Sequence, residues 1–148
     1  MVRLEVMGAL ASIKSPQLIV RYLNDPSEEA RVKALRLLSS LKYPQVYPVL
    51  LDKIMTKNFL DLNFTEQREY FNYLTANADH NLTGILKKLL YQRKWFGRKK
   101  YRTMRRLAAN ALAQIGTEET REVLKKGMGK RNQDIRSVCE TALKGMVT

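Results

Sequence analysis

The chain has 148 residues, of which 45% are hydrophobic and 28% charged, and this suits one domain with a buried core. One cysteine and one histidine exclude an internal disulfide and a metal site of paired Cys and His ligands, so we expect a reducing, cytoplasmic setting. The net charge is +13, from 27 Lys and Arg against 14 Asp and Glu, and no apolar run reaches the ~18 residues that a membrane span needs.

An all-α fold is expected, because Leu, Ala, Lys, Arg and Glu dominate and only seven Gly and four Pro interrupt them. Apolar residues recur at helical spacing along the whole chain. The predicted helices cover, in chain order, 2–13, 16–23, 30–41, 43–55, 67–78, 81–92, 104–115, 120–128 and 135–146. Pro48 indicates that the fourth helix begins near Tyr47 or kinks there.

Every second segment repeats one pattern, and we name these segments the A helices and those between them the B helices. Four A helices begin with an apolar or small residue and Arg, followed by small and apolar residues at helical spacing: VRLEVMGALASI, ARVKALRLLSSL, MRRLAANALAQI and IRSVCETALKGM. QREYFNYLTANA is a weaker copy. The shared arginine falls at Arg3, Arg31, Arg68, Arg105 and Arg136, and this spacing suits one helix pair per repeat. Cys139 takes the small core position of the last copy, so we expect a buried, inert thiol.

These copies, with Asp25-Pro26 ahead of Arg31 and Asp134 ahead of Arg136, resemble the HEAT repeat family in its short bacterial and archaeal form. The resemblance implies a right-handed α-α superhelix of about four and a half helix pairs. It also implies A helices on the convex face, B helices on the concave face, and the shared arginine paired with an Asp near the preceding turn. The expected single domain then has repeats near 1–25, 26–60, 61–97 and 98–131, and a half repeat at 132–148. Most members of the family are protein-binding scaffolds, while some bind nucleic acid and one branch consists of DNA glycosylases.

Both ends of the chain fall inside the repeat pattern. Terminal repeats normally have polar outer faces. Here Val2 and Val6, like Ile135 and Val138, are as apolar as their counterparts in internal copies. We therefore expect that the chain is a fragment of a longer protein, or that its terminal repeats pack on another domain or chain.

The excess positive charge is concentrated in one segment. Ten Lys or Arg and no Asp or Glu occur between His80 and Thr117. We predict that 93–101 is an exposed connector, in which Trp95 and Phe96 fill the gap between two repeats and Gly97 turns the chain into the next A helix. Cations interleaved with aromatic residues also suit a groove that binds phosphates and stacks bases. The candidate binding residues of this segment are Arg93, Lys94, Trp95, Arg98, Lys99, Lys100, Tyr101 and Arg102.

A second candidate surface comes from aligning the B helices, because one column of the alignment is basic throughout. Equivalent positions of successive repeats line up roughly 10 Å apart in a solenoid. This column predicts a cationic ladder along the concave face, and the simpler interpretation is that these are ordinary solvated cations. Its members are Arg21, Lys53, Lys88 and Lys126.

The predicted function is a non-enzymatic binding or scaffold module without a cofactor. A second histidine for a triad or metal site is missing, and no glycine-rich phosphate loop occurs. We expect a protein partner with an acidic surface that binds the concave face and the basic connector. The alternative is a nucleic-acid-binding module that uses the basic and aromatic residues of 87–106.

Overall fold

In a computed structural model, which describes residues 2–93 and 97–146, the chain is helical and forms no strand within those ranges. Within each of its two units, helices pack against one another, which is consistent with a HEAT-like α-solenoid. The all-α prediction is therefore confirmed. The chain forms two compact units, Met1–Asn77 and Ala78–Thr148.

The first unit contains five α-helices and three 3₁₀ segments among its described residues. The α-helices are α1 Val2–Ser12, α2 Pro16–Ile19, α3 Glu28–Ser40, α4 Tyr47–Ile54 and α5 Phe64–Ala76. The 3₁₀ segments are Val20–Asn24, Pro44–Val46 and Lys57–Asp61. Helix α3 packs against α1, α2 and α5, so it lies at the centre of this unit. The largest fully buried side chains here include Tyr73, Phe59, Met7, Leu35 and Leu38.

The second unit contains four α-helices among its described residues: α6 Leu82–Tyr91, α7 Arg98–Ile115, α8 Glu118–Met128 and α9 Gln133–Met146. Helix α7 packs against each of the other three. It can do so because its buried stripe is made of small and medium side chains, which allow close helix approach. That stripe includes Met104, Leu107, Ala108, Ala111 and Leu112.

Local signals in the sequence explain where the helices begin and end. Thr117 caps α8 by accepting the Thr120 N–H at 3.2 Å, and Gly116 ends α7 in the left-handed region at φ 69°. Pro48 occupies the first turn of α4, where its missing N–H is harmless, so the predicted start near Tyr47 is confirmed. Helix α3 is capped by Ser27. The Asp25 side chain does not cap this helix and accepts the Ser27 N–H at 2.8 Å.

Two predicted helices differ from the observed ones. The first B helix becomes 3₁₀ from Val20, and the chain turns extended at Asp25, as expected for a residue before proline. Helix α7 begins at Arg98, six residues before the predicted start at 104. The prediction of a connector over 93–101 was therefore wrong for 98–101, because RKKYR is made of residues that extend a helix when a packed helix follows.

The thiol of Cys139 lies at the closest helix contact of the second unit. A Cβ placed on Gly127 of α8 would lie 2.2 Å from the Cys139 Sγ on α9 and 3.5 Å from the Tyr91 ring on α6. Cys139 is fully buried, and this burial raises the pKa of its thiol to about 11. Gly127 is therefore required by space, and Cys139 is a buried, unreactive thiol as expected.

Candidate functional site

The repeated arginines of the A helices form structural contacts. Arg31 donates to the carbonyl oxygens of Asp25 and Pro26 at 2.8 and 3.0 Å. Arg136 makes the same contacts three copies of the pattern later, with the carbonyl oxygens of residues 130 and 131 at 2.9 and 2.8 Å. In both repeats the guanidinium therefore satisfies carbonyl groups six and five residues before it, where a B helix turns into an A helix.

In two of the A helices, the acidic partner of the repeated arginine belongs to the following repeat. Arg31 forms a two-point contact with Glu66 in the first turn of α5, at 2.7 and 2.8 Å. In the second unit, Arg105 Nη1 lies 3.7 Å from Asp134 Oδ2 in the first turn of α9. An Asp is the partner of Arg3 and of Arg105, as expected, but it lies near the start of the following A helix. The expected place at the preceding turn was wrong, because that turn offers backbone carbonyls.

An arginine-lined cavity of about 480 Å³ lies in the second unit, and we name it the arginine cavity. Four arginines, from the end of α6, from α7 and from the turn before α9, contribute to its wall together with a tyrosine, an asparagine and an aspartate. The lining residues are Arg93, Arg98, Tyr101, Arg105, Arg131, Asn132 and Asp134. The wall is thus strongly cationic and also supplies neutral hydrogen-bond donors.

The single carboxylate of the arginine cavity is already paired. Asp134 Oδ1 lies 3.1 Å from Arg102 Nη2, and its other oxygen faces Arg105. Arg93, Arg98 and Arg131 form no ion pair with any described residue, and all three are exposed. The cavity therefore keeps at least three positive charges without a carboxylate to balance them.

Arg105 is the buried member of the arginine cavity. The residue is 5% exposed, and its Nη2 donates to the carbonyl oxygen of Gln92 at 2.8 Å. Its Nε is buried and has no hydrogen-bond partner among the described residues. Arg105 is held in place by the end of α6 and by Asp134, so it is the fixed part of the cationic wall.

The predicted residues of the basic segment fall into three groups: one before the undescribed part of the segment, two within it, and five on α7. Arg93 precedes the part of the segment that the structure leaves undescribed, and Lys94 and Trp95 lie outside the described residues, as does the predicted gap-filling Phe96. The other candidates lie on the first two turns of α7 instead of in a connector: Arg98, Lys99, Lys100, Tyr101 and Arg102. Gly97 turns into the helix at φ 72°, as predicted.

Helical spacing places these α7 residues on more than one face. Arg98, Tyr101 and Arg105 follow one another at intervals of three and four and line the arginine cavity. Lys99 is exposed and is not part of the cavity wall. The basic segment is therefore an array of cations around a helix, with one face turned into the cavity.

The predicted ladder residues all lie on B elements. Arg21 lies on a 3₁₀ segment and is exposed, while Lys53 on α4 lines an apolar groove of about 610 Å³ in the first unit. Lys88 and Lys126 are exposed on α6 and α8. Two members belong to each unit, and the ladder as a whole stays a prediction.

Sequence reasoning missed the contribution of the turn before α9 to the arginine cavity. Asn132 caps α9 by accepting the Ile135 N–H at 3.1 Å. Arg131, the residue before this cap, lies in the turn that lines the cavity. An asparagine three residues before the first buried residue of a helix is a readable cap signal. It could have linked Arg131 to the start of the last helix, although not to α7.

The described residues include neither a cluster of metal-binding side chains nor a helix that could span a membrane. No group of three or more His, Cys, Asp or Glu side chains is close enough there to hold a metal ion. None of the described helices combines the length and the apolar character needed to cross a membrane.

Comparison with known families identifies the repeat. The family model described as PBS lyase HEAT-like repeat matches residues 104–129, which cover most of α7 and all of α8. No curated protein matches the chain significantly. The match confirms the predicted resemblance, and the all-helical fold is consistent with a HEAT-like α-solenoid. Repeats of this kind are generally non-catalytic, serve as helical scaffolds and often mediate protein interactions.

Proposed function

We propose that this chain is a non-enzymatic scaffold that binds an acidic segment of a protein partner through the basic residues around the start of α7. The observation that supports the proposal is the arginine cavity, where four arginines surround one aspartate that is already paired. An acidic segment would neutralise this local charge, and such complementarity speeds association and favours acidic partners over basic ones.

The surrounding helix extends the same surface. Lys99 is exposed beside the cavity face of α7, and no Asp or Glu occurs anywhere between His80 and Thr117. A peptide that places one carboxylate in the cavity would therefore meet further cations and no repelling carboxylate along this stretch of sequence. Arginine suits this task, because its planar fork binds a carboxylate at two points.

A binding titration with charge-matched variants tests the proposal. The probe is a fluorescently labelled peptide rich in Glu and Asp, titrated with the wild type and with the double variant Arg98→Gln/Lys99→Gln. The control is Lys14→Gln/Lys57→Gln, which removes the same two charges from exposed positions in the first unit. We expect the α7 variant to lose about tenfold in affinity, from about 0.7 kcal/mol per charge, and the control to lose much less. Equal losses in the two variants would mean that only net charge matters, and would contradict the proposal.

Nucleic acid is the second candidate partner, and one observation favours it. Cations surround α7 on several faces, and Tyr101 offers an aromatic ring among them, a combination that nucleic-acid-binding surfaces use. Binding of this kind weakens steeply with salt, because each neutralised phosphate releases counterions. The salt dependence of binding therefore separates the two candidates.

A further inference from the structure

We infer that the arginine cavity is a phosphate-binding site that takes a phosphorylated side chain of the protein partner. The inference rests on the proposed function, since it names the chemical group that the acidic partner inserts. The starting observation is that the wall of the arginine cavity carries more positive charge than one carboxylate of the partner can balance.

The charge of the cavity wall matches a dianion. Its four arginines face one carboxylate, Asp134, so three positive charges remain without a balancing group, and Arg102 adds a further cation to Asp134 from outside the wall. A carboxylate side chain brings one negative charge. A phosphorylated Ser, Thr or Tyr brings about −1.5 to −2 at neutral pH, with three strong acceptor oxygens. The phosphate is therefore the better match in charge and in number of acceptors.

The donors of the wall also suit tetrahedral oxygens. Arginine forks bind phosphate at two points, and Tyr101 adds a hydroxyl donor. The Asn132 Oδ1 is already used to cap α9, which leaves its amide nitrogen as a donor. Donors thus come from the end of α6, from α7 and from the turn before α9, so that they can approach one anion from several sides.

Two helix N-termini add to the positive field at this site. Helix α7 begins beside the cavity with Gly97, which has no side chain to cap the first N–H groups. Helix α9 begins on the other side, next to Asn132. The 18 residues of α7 and the 14 of α9 are long enough for a full dipole, whose positive end stabilises a phosphate.

The buried arginine indicates that the cavity is a built site instead of a chance cluster of surface cations. Arg105 is 5% exposed and is fixed by Gln92 and Asp134, yet its Nε has no partner among the described residues. Burial of an incompletely satisfied guanidinium is unfavourable, and Asp134 shares its single negative charge between Arg102 and Arg105, so a further anion is needed for full compensation. A phosphate bound against the exposed arginines supplies that compensation.

The shape of the site favours a protein phosphate over a nucleic-acid backbone. The four arginines surround one volume of about 480 Å³, within the range of about 300 to 1,000 Å³ typical of sites for small groups. A nucleic-acid backbone presents a row of phosphates and is held by a row of cations along a groove. A single half-open site instead suits one phosphate projecting from a peptide.

Three matched peptides test the inference on the intact chain: an acidic peptide, the same peptide with one phosphoserine, and the same peptide with Glu at that position. We expect phosphoserine to tighten binding at least about tenfold over Glu, because charge-assisted bonds to phosphate are the strong ones. The variant Arg93→Gln/Arg131→Gln should lose this gain. The control Lys57→Gln/Lys87→Gln, which removes two exposed charges outside the cavity wall, should keep it.

Inorganic phosphate serves as an independent probe, and it should compete with the phosphopeptide and protect the wild type, but not the cavity variant, against thermal unfolding. If acidic peptides bind but phosphoserine gives no gain over Glu, the inference fails while the proposed function stands. If no peptide binds, both fail. A duplex oligonucleotide that binds more tightly than the phosphopeptide and is weakened in the cavity variant would overturn the choice of a protein phosphate. Arg93 and Arg131 are exposed and form no ion pair with a described residue, so circular dichroism should show both variants folded.

Discussion

Replacing Arg31 with methionine should be among the most damaging single changes in the first unit. Glu66, its partner on α5, is 2% exposed and would remain as a buried carboxylate without its cation. Removing one partner of a buried ion pair costs about 3 to 5 kcal/mol. The loss of the two contacts to the Asp25 and Pro26 carbonyls adds about 1 kcal/mol each. Because the Arg31 side chain is 21% exposed, water can enter beside Glu66, and we expect a total near the lower value, about 3 kcal/mol.

Urea unfolding followed by circular dichroism measures this loss as a change in the free energy of unfolding. The matched control is Arg3→Met, which breaks the Arg3–Asp25 pair of the preceding repeat. Because the Arg3 side chain is 61% exposed, this change should cost about 1 kcal/mol or less. The double variant Arg31→Met/Glu66→Gln removes the unpaired charge and should recover part of the stability. If Arg31→Met destabilises the protein no more than Arg3→Met does, the assignment of the shared arginine as a buried link between repeats is wrong.

Three further predictions concern packing, pH and capping. Gly127→Ala should destabilise the second unit by about 1 to 3 kcal/mol, despite the better helix propensity of alanine, and adding Cys139→Ala should restore much of the loss in thermal melts. Burial raises the pKa of Tyr73 from 10.0 to about 12. The stability that depends on its neutral hydroxyl is therefore complete below pH 10 and is lost as the pH rises through 12. Tyr73→Phe should lose less stability over that interval, and an alkaline unfolding curve that the variant leaves unchanged would contradict the assignment. Thr117→Ala should cost about 1 kcal/mol in urea titrations through the loss of the α8 cap, whereas Thr117→Ser should be nearly neutral.

Most of the helical plan could be read from the sequence, because its signals are local. The repeated arginine with its following small residues located all the A helices, and the predicted end of the fourth A helix at 115 matches the last residue of α7. Pro48 fixed the start of α4 for the same reason, since the restriction that proline imposes acts on its own helix turn.

The start of α7 was missed, because charge and aromatic content do not separate a connector from an exposed helical turn. Arg98 and its neighbours have good helix propensity, and the buried stripe that holds them in a helix begins only at Met104. The helical state of 98–103 is decided by packing farther along α7, which no local pattern encodes.

The arginine cavity could be predicted only in part. Arg93, Arg98 and Tyr101 were found from composition, since they belong to one continuous basic stretch. Arg131 lies more than thirty residues farther on and reaches the cavity through the packing of α9 against α7. Arg105 makes structural contacts with Gln92 and Asp134, as a repeated arginine of the A helices. It also lies in the wall of the arginine cavity, which sequence spacing alone does not reveal.

The most direct test of the proposed partner class is a salt-titrated comparison of two probes, the acidic phosphopeptide and a labelled duplex oligonucleotide. Neutralising Z phosphates of a duplex gives a slope of log K against log salt near −0.9Z, so about six contacts lose a thousandfold or more over a fourfold rise in salt. We predict that the phosphopeptide binds more tightly than the duplex at physiological salt, with the shallower slope, and that Arg93→Gln/Arg131→Gln selectively weakens it. Tighter binding of the duplex, with a steep slope that the α7 variant Arg98→Gln/Lys99→Gln reduces, would contradict the protein-scaffold account and assign the basic surface to nucleic acid.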